Sequence, residues 1–388
     1  IHVHHGLQAA ADAWPEHCAR VCEHLRIALD VVRVQVAPSA SLEQAARSAR
    51  YQAFSERLGT GDVLLSAQHR DDQAETLLFR LLRGAGVRGL AAMPASRSLG
   101  QGSLVRPLLD CSRAELQAYA QGHGIAWIED PSNADERLSR NFLRRRVMPV
   151  LAERWPQTPI TLARSASHLS EAQQLLEELA EMDLAAARGV SACPWLPLPS
   201  LDLSAVSVLS DARQRNLLRH WLAPLTRMPD SDHWAGWCDL RDAGLDAAPI
   251  WKLADGELHR ADGRLWWLSG QWLRPLDPLD LPCDRLCASV VLPGNGHVHL
   301  QGELPQGRWH LRYRQGGESL RVPGRGSRDL KRLLNELRVP AFVRPRLPLL
   351  FEGSELMAVA NLSHPAGIEA SGAHLHWSPP ICAQGLSW

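Results

Sequence analysis

Apolar and polar positions follow two different rhythms along the first part of the chain. Short apolar runs at residues 1–3, 31–36 and 63–65 predict strands, since an unbroken run of this length is typical of a buried strand. The segments 11–29 and 41–58 between them repeat their apolar residues at helical spacing and predict amphipathic helices. Strands that alternate with helices indicate a parallel α/β sheet.

This rhythm continues beyond residue 65. An amphipathic helix is predicted to run through residue 82, followed by a strand at 104–109, a helix at 112–123 and a short strand at 127–130. Ser112 and Glu115 have the spacing of a capping box, which marks a helix start.

The middle of the chain changes from alternating elements to helices followed by strands. A long helix at 160–188 is predicted to be a connector, and shorter helices are predicted at 210–222 and 232–241. Three apolar runs between residues 250 and 268 are joined at Asp255-Gly256 and Asp262-Gly263. Asp-Gly between apolar runs predicts β-hairpins, so this part is a helical and β-meander domain whose tryptophans are assigned to its core.

A proline-rich stretch at 273–284 predicts a linker to a last part with short strands, a helix at 331–337 and a hairpin from 347–351 and 356–360. Three domains are therefore expected. Their predicted bounds are 1–155, 156–272 and 286–388.

Composition limits the classes of protein that remain. Hydrophobic residues make up 45% and charged residues 22% of the chain, as in ordinary soluble proteins, and no apolar run approaches a membrane span. The formal net charge is zero, so any nucleic-acid surface must be a local patch. The 8 cysteines include no C-x-x-C, which argues against a zinc ribbon or a redox dithiol and favours a reduced, cytoplasmic setting.

The stretch Ser66-Ala-Gln-His-Arg-Asp-Asp-Gln-Ala-Glu-Thr76 joins a predicted strand to a predicted helix. Ligands of α/β sheets bind at this edge. Asp71 and Asp72 suit a helix start as capping acids, but His69 and Glu75 at three-residue spacing from Asp72 exceed what capping requires. A hydrated Mg²⁺ that carries nucleotide phosphates, with Asp71 and Asp72 as ligands, is the functional alternative.

A basic glycine loop follows the predicted helix. Arg83-Gly84-Ala85-Gly86-Val87-Arg88-Gly89 contains G-x-G-x-x-G, but its glycines end a helix, whereas the dinucleotide-binding motif follows a strand. The segment is interpreted as a lid near the substrate, with Arg83, Gly84, Gly86 and Arg88 as its key residues. A plain helix stop with glycine after the last turn is the alternative.

Two arginine-rich regions predict contacts with phosphate backbones. The first lies near the acidic stretch and the second in the last domain, where few acids accompany the cations. The predicted RNA contacts are Arg140, Arg144, Arg145, Arg312, Arg314, Arg325, Arg328, Lys331 and Arg332. A solvated helix face is the alternative for the first region, and it is also the alternative for Arg47 and Arg50 on the second predicted helix.

Several motifs together resemble the bacterial tRNA(Ile)-lysidine synthetases, a family of N-type ATP pyrophosphatases. The resemblance covers nearly the whole chain, and the Asp-Asp-Gln-x-Glu-Thr signature is its most specific part. The matching segments are His2-Val-His-His-Gly-Leu7, Ala46-Arg-Ser-Ala-Arg-Tyr51, Ala67–Thr76, Arg83-Gly-Ala-Gly86, Arg140-Asn-Phe-Leu-Arg144, Arg325–Leu334 and Val339-Pro-Ala-Phe-Val-Arg344.

The resemblance implies a fold, a reaction and a site. The fold is an α/β PP-loop domain of the adenine-nucleotide α-hydrolase type, followed by a small α+β middle domain and a C-terminal α+β domain. The reaction uses ATP and Mg²⁺ to adenylate carbon 2 of the wobble cytidine in a CAU-anticodon tRNA(Ile), and free L-lysine then displaces AMP. It converts AUG decoding to AUA decoding. The residues implied at the catalytic site are Arg47, Arg50, His69, Asp71, Asp72 and Glu75.

One departure from the family is expected to matter. The chain opens inside a predicted strand, and the family's phosphate loop, Ser-Gly-Gly-x-Asp-Ser, lies before that strand, so the sequence is expected to be an N-terminally truncated fragment that binds ATP poorly. Two alternatives stay open at this point: a PP-loop enzyme of tRNA thiolation, and a tRNA-binding protein without catalysis. The sequence also leaves open whether the protein is a homodimer.

Overall fold

A computed structural model describes residues 1–36, 42–228, 231–244, 247–283, 289–322, 326–362 and 373–382. The chain divides into two compact units, residues 1–176 and 177–387.

The first unit contains two small sheets in place of one continuous parallel sheet. His2–His4 pairs in parallel with Val31–Arg33. Val63–Leu65 pairs in parallel with Gly102–Val105, which in turn pairs antiparallel with Ser96–Leu99. The last strand was not predicted. It forms because Gly100, at φ 58°, allows the tight turn that folds the strand back on its neighbour.

Helices fill the rest of the first unit. Their bounds are Trp14–Leu25, Leu42–Ser55, Arg70–Leu81, Val87–Leu90, Arg113–Gly122, Ser139–Phe142 and Met148–Arg154, with a π-helical turn at Leu143–Val147 and 3₁₀ turns at Ala9–Ala13 and Pro131–Ala134. We call Arg70–Leu81 the central helix.

Several predictions for this unit were wrong. The strand predicted at 104–109 is Gly102–Val105 and ends before Arg106. The first helix ends at Leu25 rather than at residue 29, because Arg26 adopts a left-handed φ of 55° that stops the helix. Residues 127–130 form no strand. Adjacent Trp127 and Ile128 are both exposed, so no alternation of buried and exposed faces exists for a sheet to use.

The long helix predicted at 160–188 is confirmed as Thr158–Arg188. Its first turns belong to the first unit, where Ala166 packs with Leu77 of the central helix and Ala92, flanked by Leu162 and Leu169. These apolar contacts therefore fix one face of the central helix, and its N-terminal end lies at the edge of the sheet.

The second unit begins with helices Leu203–Ser207, Asp211–Leu222 and Ala235–Asp242, and a 3₁₀ turn at Ser231–Trp234. A four-stranded antiparallel sheet follows, in the order Ser200–Asp202, Arg264–Leu268, Glu257–Ala261, Ile250–Lys252. Both predicted Asp-Gly hairpins are confirmed. At the second, Asp262 and Gly263 have φ of 51° and 69°, as a tight hairpin turn requires.

The remaining strands form two further sheets. One has six strands in the order Asp280–Pro282, Trp309–Tyr313, Pro348–Glu352, Glu355–Val359, Ser319–Val322, Gly326–Asp329. The other contains Val290–Val291, His297–Gln301 and His374–Ser378. A helix at Leu330–Glu336 and 3₁₀ turns at Gly270–Leu273 and Arg344–Arg346 complete the unit. The predicted linker at 273–284 thus includes an edge strand of the larger sheet.

One apolar core runs through the second unit, from Ala187 to Cys382. As predicted, tryptophans are central to it, and Trp266 and Trp267 are at most 1% exposed. Phe342, from the predicted third domain, packs against two tryptophans of the predicted second domain. Its ring centroid lies 6.0 Å from that of Trp266 and 6.1 Å from that of Trp272.

Buried Arg346 ties the same region together through polar contacts. Its guanidinium donates to the carbonyls of Gln271 at 3.0 Å, Trp272 at 3.1 Å and Gly294 at 3.3 Å, and also to that of Arg274. Burial lowers the pKa of Arg346, yet each carbonyl gains a charge-assisted donor that water cannot supply at this depth.

None of the helices in the described part of the chain has the length and apolar composition needed to cross a membrane.

We predict that Arg346→Leu destabilises the second unit strongly, because several buried carbonyls lose their donor at once. The expected loss is about 3 kcal/mol or more, given the cost of leaving buried polar groups unpaired. Urea unfolding followed by tryptophan fluorescence measures it. Arg332→Leu, at an exposed position, is the matched control. Equal unfolding midpoints for the two variants would refute the structural role of Arg346.

Candidate active site

The N-terminal end of the central helix is fixed by a reciprocal pair of hydrogen bonds. His69 is the capping residue, and its Nδ1 accepts from the backbone N–H of Asp72 at 3.4 Å. The backbone N–H of His69 donates back to Asp72 Oδ2 at 3.1 Å. The capping role of Asp72 is therefore confirmed, and it positions His69 at the mouth of the helix.

Glu75 lies one turn further along and is the most buried acid of the group, at 2% exposed. Arg144 holds it with two parallel bonds, Nε to Oε1 at 2.7 Å and Nη2 to Oε2 at 2.8 Å. Arg140 adds a third, Nε to Oε2 at 3.3 Å. Hydrogen bonding to Glu75 raises the pKa of Arg144, so this guanidinium stays charged.

The same two guanidinium groups also contact Asp72. Its Oδ1 lies 3.1 Å from Arg144 Nη2 and 3.4 Å from Arg140 Nη2. We call Asp72, Glu75, Arg140 and Arg144 the acid–arginine cluster. Two carboxylates face two guanidiniums, so the cluster is neutral as a whole, and this compensation is what permits Glu75 to be buried.

Asp71 points to a different neighbour. Its Oδ2 accepts from the backbone N–H of Arg113, at the start of helix Arg113–Gly122, at 2.8 Å. His69 Nδ1 lies 3.7 Å from the same oxygen. Asp71 therefore joins the central helix to helix Arg113–Gly122, whose predicted capping box of Ser112 and Glu115 is confirmed.

A metal site built from protein groups alone is not present in the part of the chain that the structure describes. No group of three or more His, Cys, Asp or Glu side chains is arranged to hold a metal ion there. Both oxygens of Asp72 are engaged by arginines or by the backbone of His69. Oδ1 of Asp71 is the carboxylate oxygen of this group for which the described residues provide no hydrogen bond.

The structure adds Arg106, which the sequence reasoning missed. It directly follows strand Gly102–Val105 and is 4% exposed. Its Nε donates to Gln68 Oε1 at 3.0 Å and its Nη1 to the carbonyl of Pro94 at 2.7 Å. Ser66 Oγ donates to the same Gln68 oxygen at 2.6 Å. This network fixes the loop that leads to His69. The strand predicted at 104–109 includes Arg106, and only the observed strand end at Val105 places this arginine at the ligand-binding edge.

Side chains of the central helix bind the backbone at the C-terminal end of the glycine loop and just beyond it. The Gln73 amide makes two bonds to the backbone of Met93, at 2.9 and 3.0 Å, and Arg80 Nη1 donates to the carbonyls of Gly89 and Ala92, each at 2.8 Å. Gly84 has a φ of 70°, as a helix stop requires.

The two arginines of the glycine loop take different positions. The guanidinium of Arg83 lies 5.2 Å from the ring centroid of Phe79. Arg88, predicted in a loop, lies in the short helix Val87–Leu90. A lid function for the segment, with Arg83, Gly84, Gly86 and Arg88, stays a prediction.

Arg47 and Arg50 lie on helix Leu42–Ser55 and are exposed. The structure does not bring them into contact with the acid–arginine cluster. It connects Arg47 to the sheet edge through Tyr51, whose ring centroid is 4.8 Å from the Arg47 guanidinium carbon. His5 Nε2, just past the first strand, lies 3.1 Å from the carbonyl of Ala46 on the same helix.

The predicted RNA contacts of the second unit fall into two groups. Arg312, Arg314 and Arg328 lie near carboxylates, with N–O distances of 3.1 Å to Asp280, 3.3 Å to Glu318 and 3.0 Å to Glu336. Lys331 and Arg332 are exposed, and no carboxylate of the described residues lies within ion-pair distance of either. Arg325 lies outside the described residues.

Arg145, the remaining predicted RNA contact of the first unit, has its Nε 3.4 Å from Glu136 and is about half exposed. Its neighbour Arg146 shares the same carboxylate at 2.9 Å. The two arginines therefore lie on a different side of their segment from the acid–arginine cluster.

Comparison with known families divides the chain into three matched regions. The family described as "PP-loop domain" matches residues 1–151, the "TilS substrate binding domain" matches 201–266, and the "TilS substrate C-terminal domain" matches 309–378. The acidic stretch and Arg140–Arg144 fall within the first region.

Whole-length relatives agree with this division. The chain is 64% identical over 387 residues to "tRNA(Ile)-lysidine synthase" of Pseudomonas fluorescens, an alignment that covers 100% of this chain and 87% of the relative. Proteins of the same name share 60% identity in Pseudomonas aeruginosa, over 100% of this chain and 88% of theirs, and 41% in Escherichia coli O157:H7, over 93% and 84%.

We predict strong coupling between Glu75 and Arg144 in folding stability. Glu75→Gln leaves two guanidiniums without their partner at a buried position, and the expected loss is about 3–5 kcal/mol. Arg144→Gln leaves Glu75 held by Arg140 alone and should also destabilise. The double variant should lose less than the sum of the two, as chemical unfolding of all four proteins would show.

The surface pair Arg137 and Asp135 of the same unit provides the matched control, with an N–O distance of 2.8 Å and with Arg137 90% exposed. Its double-mutant cycle should show no measurable coupling, because solvent screens exposed pairs. Additive losses in the Glu75–Arg144 cycle would contradict the assignment of a mutually dependent cluster.

Proposed function

This chain belongs to the tRNA(Ile)-lysidine synthase family, and we propose that it uses ATP to join L-lysine to carbon 2 of the wobble cytidine in a CAU-anticodon tRNA(Ile). The observation that carries this proposal is the acid–arginine cluster beside His69, at the carboxyl edge of a PP-loop domain. The chain is 64% identical to a synthase of this name. The thiolation alternative lacks its paired cysteines, since no C-x-x-C occurs.

The reaction has two covalent steps. The cytidine oxygen on carbon 2 attacks the α-phosphate of ATP, and pyrophosphate leaves. The ε-amine of lysine then attacks carbon 2; the carbon–oxygen bond breaks, AMP leaves, and the amine loses its protons. Charge develops on the α-phosphate in the first step, so fixed cations aimed at it would lower the barrier.

Arg140 is the cluster member best suited to this role. Its side chain is 35% exposed, against 25% for Arg144, and its bonds to the carboxylates are the longer ones, at 3.3–3.4 Å. Arg144, with two short bonds to Glu75, is the positioning partner. We assign both arginines to the acidic site in preference to the RNA surface, because Asp72 and Glu75 hold both guanidiniums at the edge where the nucleotide would bind.

The lysine ammonium must lose a proton before it can attack. Glu75 and His69 were the two candidates from the sequence. Both oxygens of Glu75 accept from guanidiniums, so it can take a proton only after losing those bonds. His69, with its side chain 15% exposed at the N-terminal end of the helix, would give up only the bond that its Nδ1 accepts from the backbone of Asp72, and its Nε2 lies 3.5 Å from Asp72 Oδ2, so it is the favoured acceptor.

Magnesium is proposed as the companion of the nucleotide. The residues present do not form a protein cage for it, which fits an ion held mainly by phosphates and water. Asp71, with its second oxygen unengaged, is the residue that could add one ligand. No step of the proposal depends on it.

The tRNA would contact both units, and Lys331 and Arg332 are predicted contacts of the second unit for which the described residues provide no ion-pair partner. The target cytidine must leave its stack to reach the sheet edge. A cytoplasmic setting suits such a substrate.

We predict that Asp72→Ala abolishes lysine-dependent AMP release from ATP and CAU-anticodon tRNA, by at least about a hundredfold, because Asp72 holds His69 and both arginines at once. Asp135→Ala, at a partly exposed acid of the same unit, is the control and should retain turnover. Reactions without lysine test the reaction type. Normal turnover in Asp72→Ala would exclude this site, and AMP release that depends on sulfide instead of lysine would favour the thiolation alternative.

A further inference from the structure

A second charged group lies at the same edge of the first unit, and the mechanism above does not use it. Arg47, Arg97 and Arg106 surround Tyr51, and we call these four residues the arginine–tyrosine cluster. The guanidinium carbons of Arg47 and Arg97 lie 4.8 and 4.9 Å from the centroid of the Tyr51 ring. Arg47 Nη2 also lies 3.5 Å from the tyrosine hydroxyl.

The cluster has an excess of positive charge. Within the described residues, no carboxylate lies at ion-pair distance from any of its three arginines, whereas Arg140 and Arg144 each face two acids. Arginines brought together without an acid repel one another, and cation–π contact with one ring offsets only part of that cost. An anionic ligand would supply the missing charge.

The four residues come from three elements that meet at the ligand-binding edge, since Arg47 and Tyr51 share one helix. Arg106 directly follows strand Gly102–Val105, which lies in parallel register with Val63–Leu65. Through Gln68, 3.0 Å away, it touches the loop that carries His69. Arg97 lies on strand Ser96–Leu99, and Arg47 on helix Leu42–Ser55. This convergence from three sides is what a bound group would need, and the edge is where α/β sheets bind ligands.

The tyrosine reports the local field. Burial raises the pKa of Tyr51, but the charge of Arg47, the charge of Arg106 and hydrogen bonds from Arg97 and Arg106 outweigh it and hold the pKa below its ordinary value. Planar guanidiniums with several donors match the oxygens of phosphate groups, which are the anions that both ATP and RNA present.

We propose that the arginine–tyrosine cluster is a phosphate-binding site beside the catalytic cluster. Exposed Arg97 is the residue that holds one phosphate of a substrate of the modification reaction, and buried Arg106 positions Tyr51 beside it. The inference rests on the proposed function for the identity of the substrates, ATP or RNA. Both present the same chemical group, and binding measurements separate them.

The test uses Arg97→Gln, because Arg97 is exposed and its loss should leave the fold intact. Affinity for ATP is measured by equilibrium dialysis, and affinity for a CAU-anticodon tRNA transcript by filter binding over a series of salt concentrations. Arg97→Lys keeps the charge and should recover part of the loss. Arg137→Gln, an exposed arginine of the same unit, is the control and should bind as the unaltered protein does.

Two outcomes support the site and identify its ligand. A roughly tenfold loss of ATP affinity, the size expected for one charged hydrogen-bond partner, with unchanged RNA binding assigns the phosphate to the nucleotide. Weaker tRNA binding with a salt slope reduced by about one assigns it to RNA. Unchanged affinity for both ligands would overturn the proposal.

A spectroscopic measurement separates this proposal from the proposed function. Inorganic pyrophosphate bound to the cluster should raise the pKa of Tyr51, which the phenolate absorbance of the protein reports, and Tyr51→Phe should remove that change. A protein that shows this response but releases no lysine-dependent AMP would retain the phosphate site and lose the proposed reaction. A protein that releases AMP in a lysine-dependent reaction but shows no change in Tyr51 absorbance with pyrophosphate would support the proposed function and contradict the phosphate site.

Discussion

The buried carboxylate of Glu75 is the constraint on which the geometry of the first unit depends. A charge at 2% exposure is tolerated only with partners, and Arg140 and Arg144 provide them from a segment more than sixty residues away. The same guanidiniums bind Asp72, which caps the central helix through His69. One electrostatic requirement therefore aligns the helix, the arginine segment and the imidazole at the ligand-binding edge.

The two units are stabilised in different ways. The first has small apolar clusters around Leu104 and Ala166, and its loops are held by side chains bonded to backbone carbonyls, such as Arg80 and Arg106. The second has a continuous tryptophan-rich core. Hydrogen bonds from side chains to backbone carbonyls suit a region where several charged substrates must meet. They fix the geometry of the loops without covering the sheet edge with apolar groups.

Local patterns in the sequence predicted most of the elements, including the long helix, the Asp-Gly hairpins and the capping box at Ser112. They also placed His69, Asp72 and Glu75 at one helix end. The partners of these acids could not be predicted, because Arg140 and Arg144 become their neighbours only through tertiary packing, and a basic segment alone has the same appearance as an RNA contact. The error at 127–130 has a related cause, since apolar residues that remain exposed follow no burial pattern.

The central claim is that Arg144 serves the buried acids and does not bind RNA phosphate. Its most direct test is the salt dependence of tRNA binding by Glu75→Gln/Arg144→Gln, a double variant that removes both charges together and keeps the site neutral. Our account predicts the same slope of log affinity against log salt as in the unaltered protein, since no phosphate contact is lost. A slope reduced by about one would show that Arg144 contacts the RNA and would contradict the account.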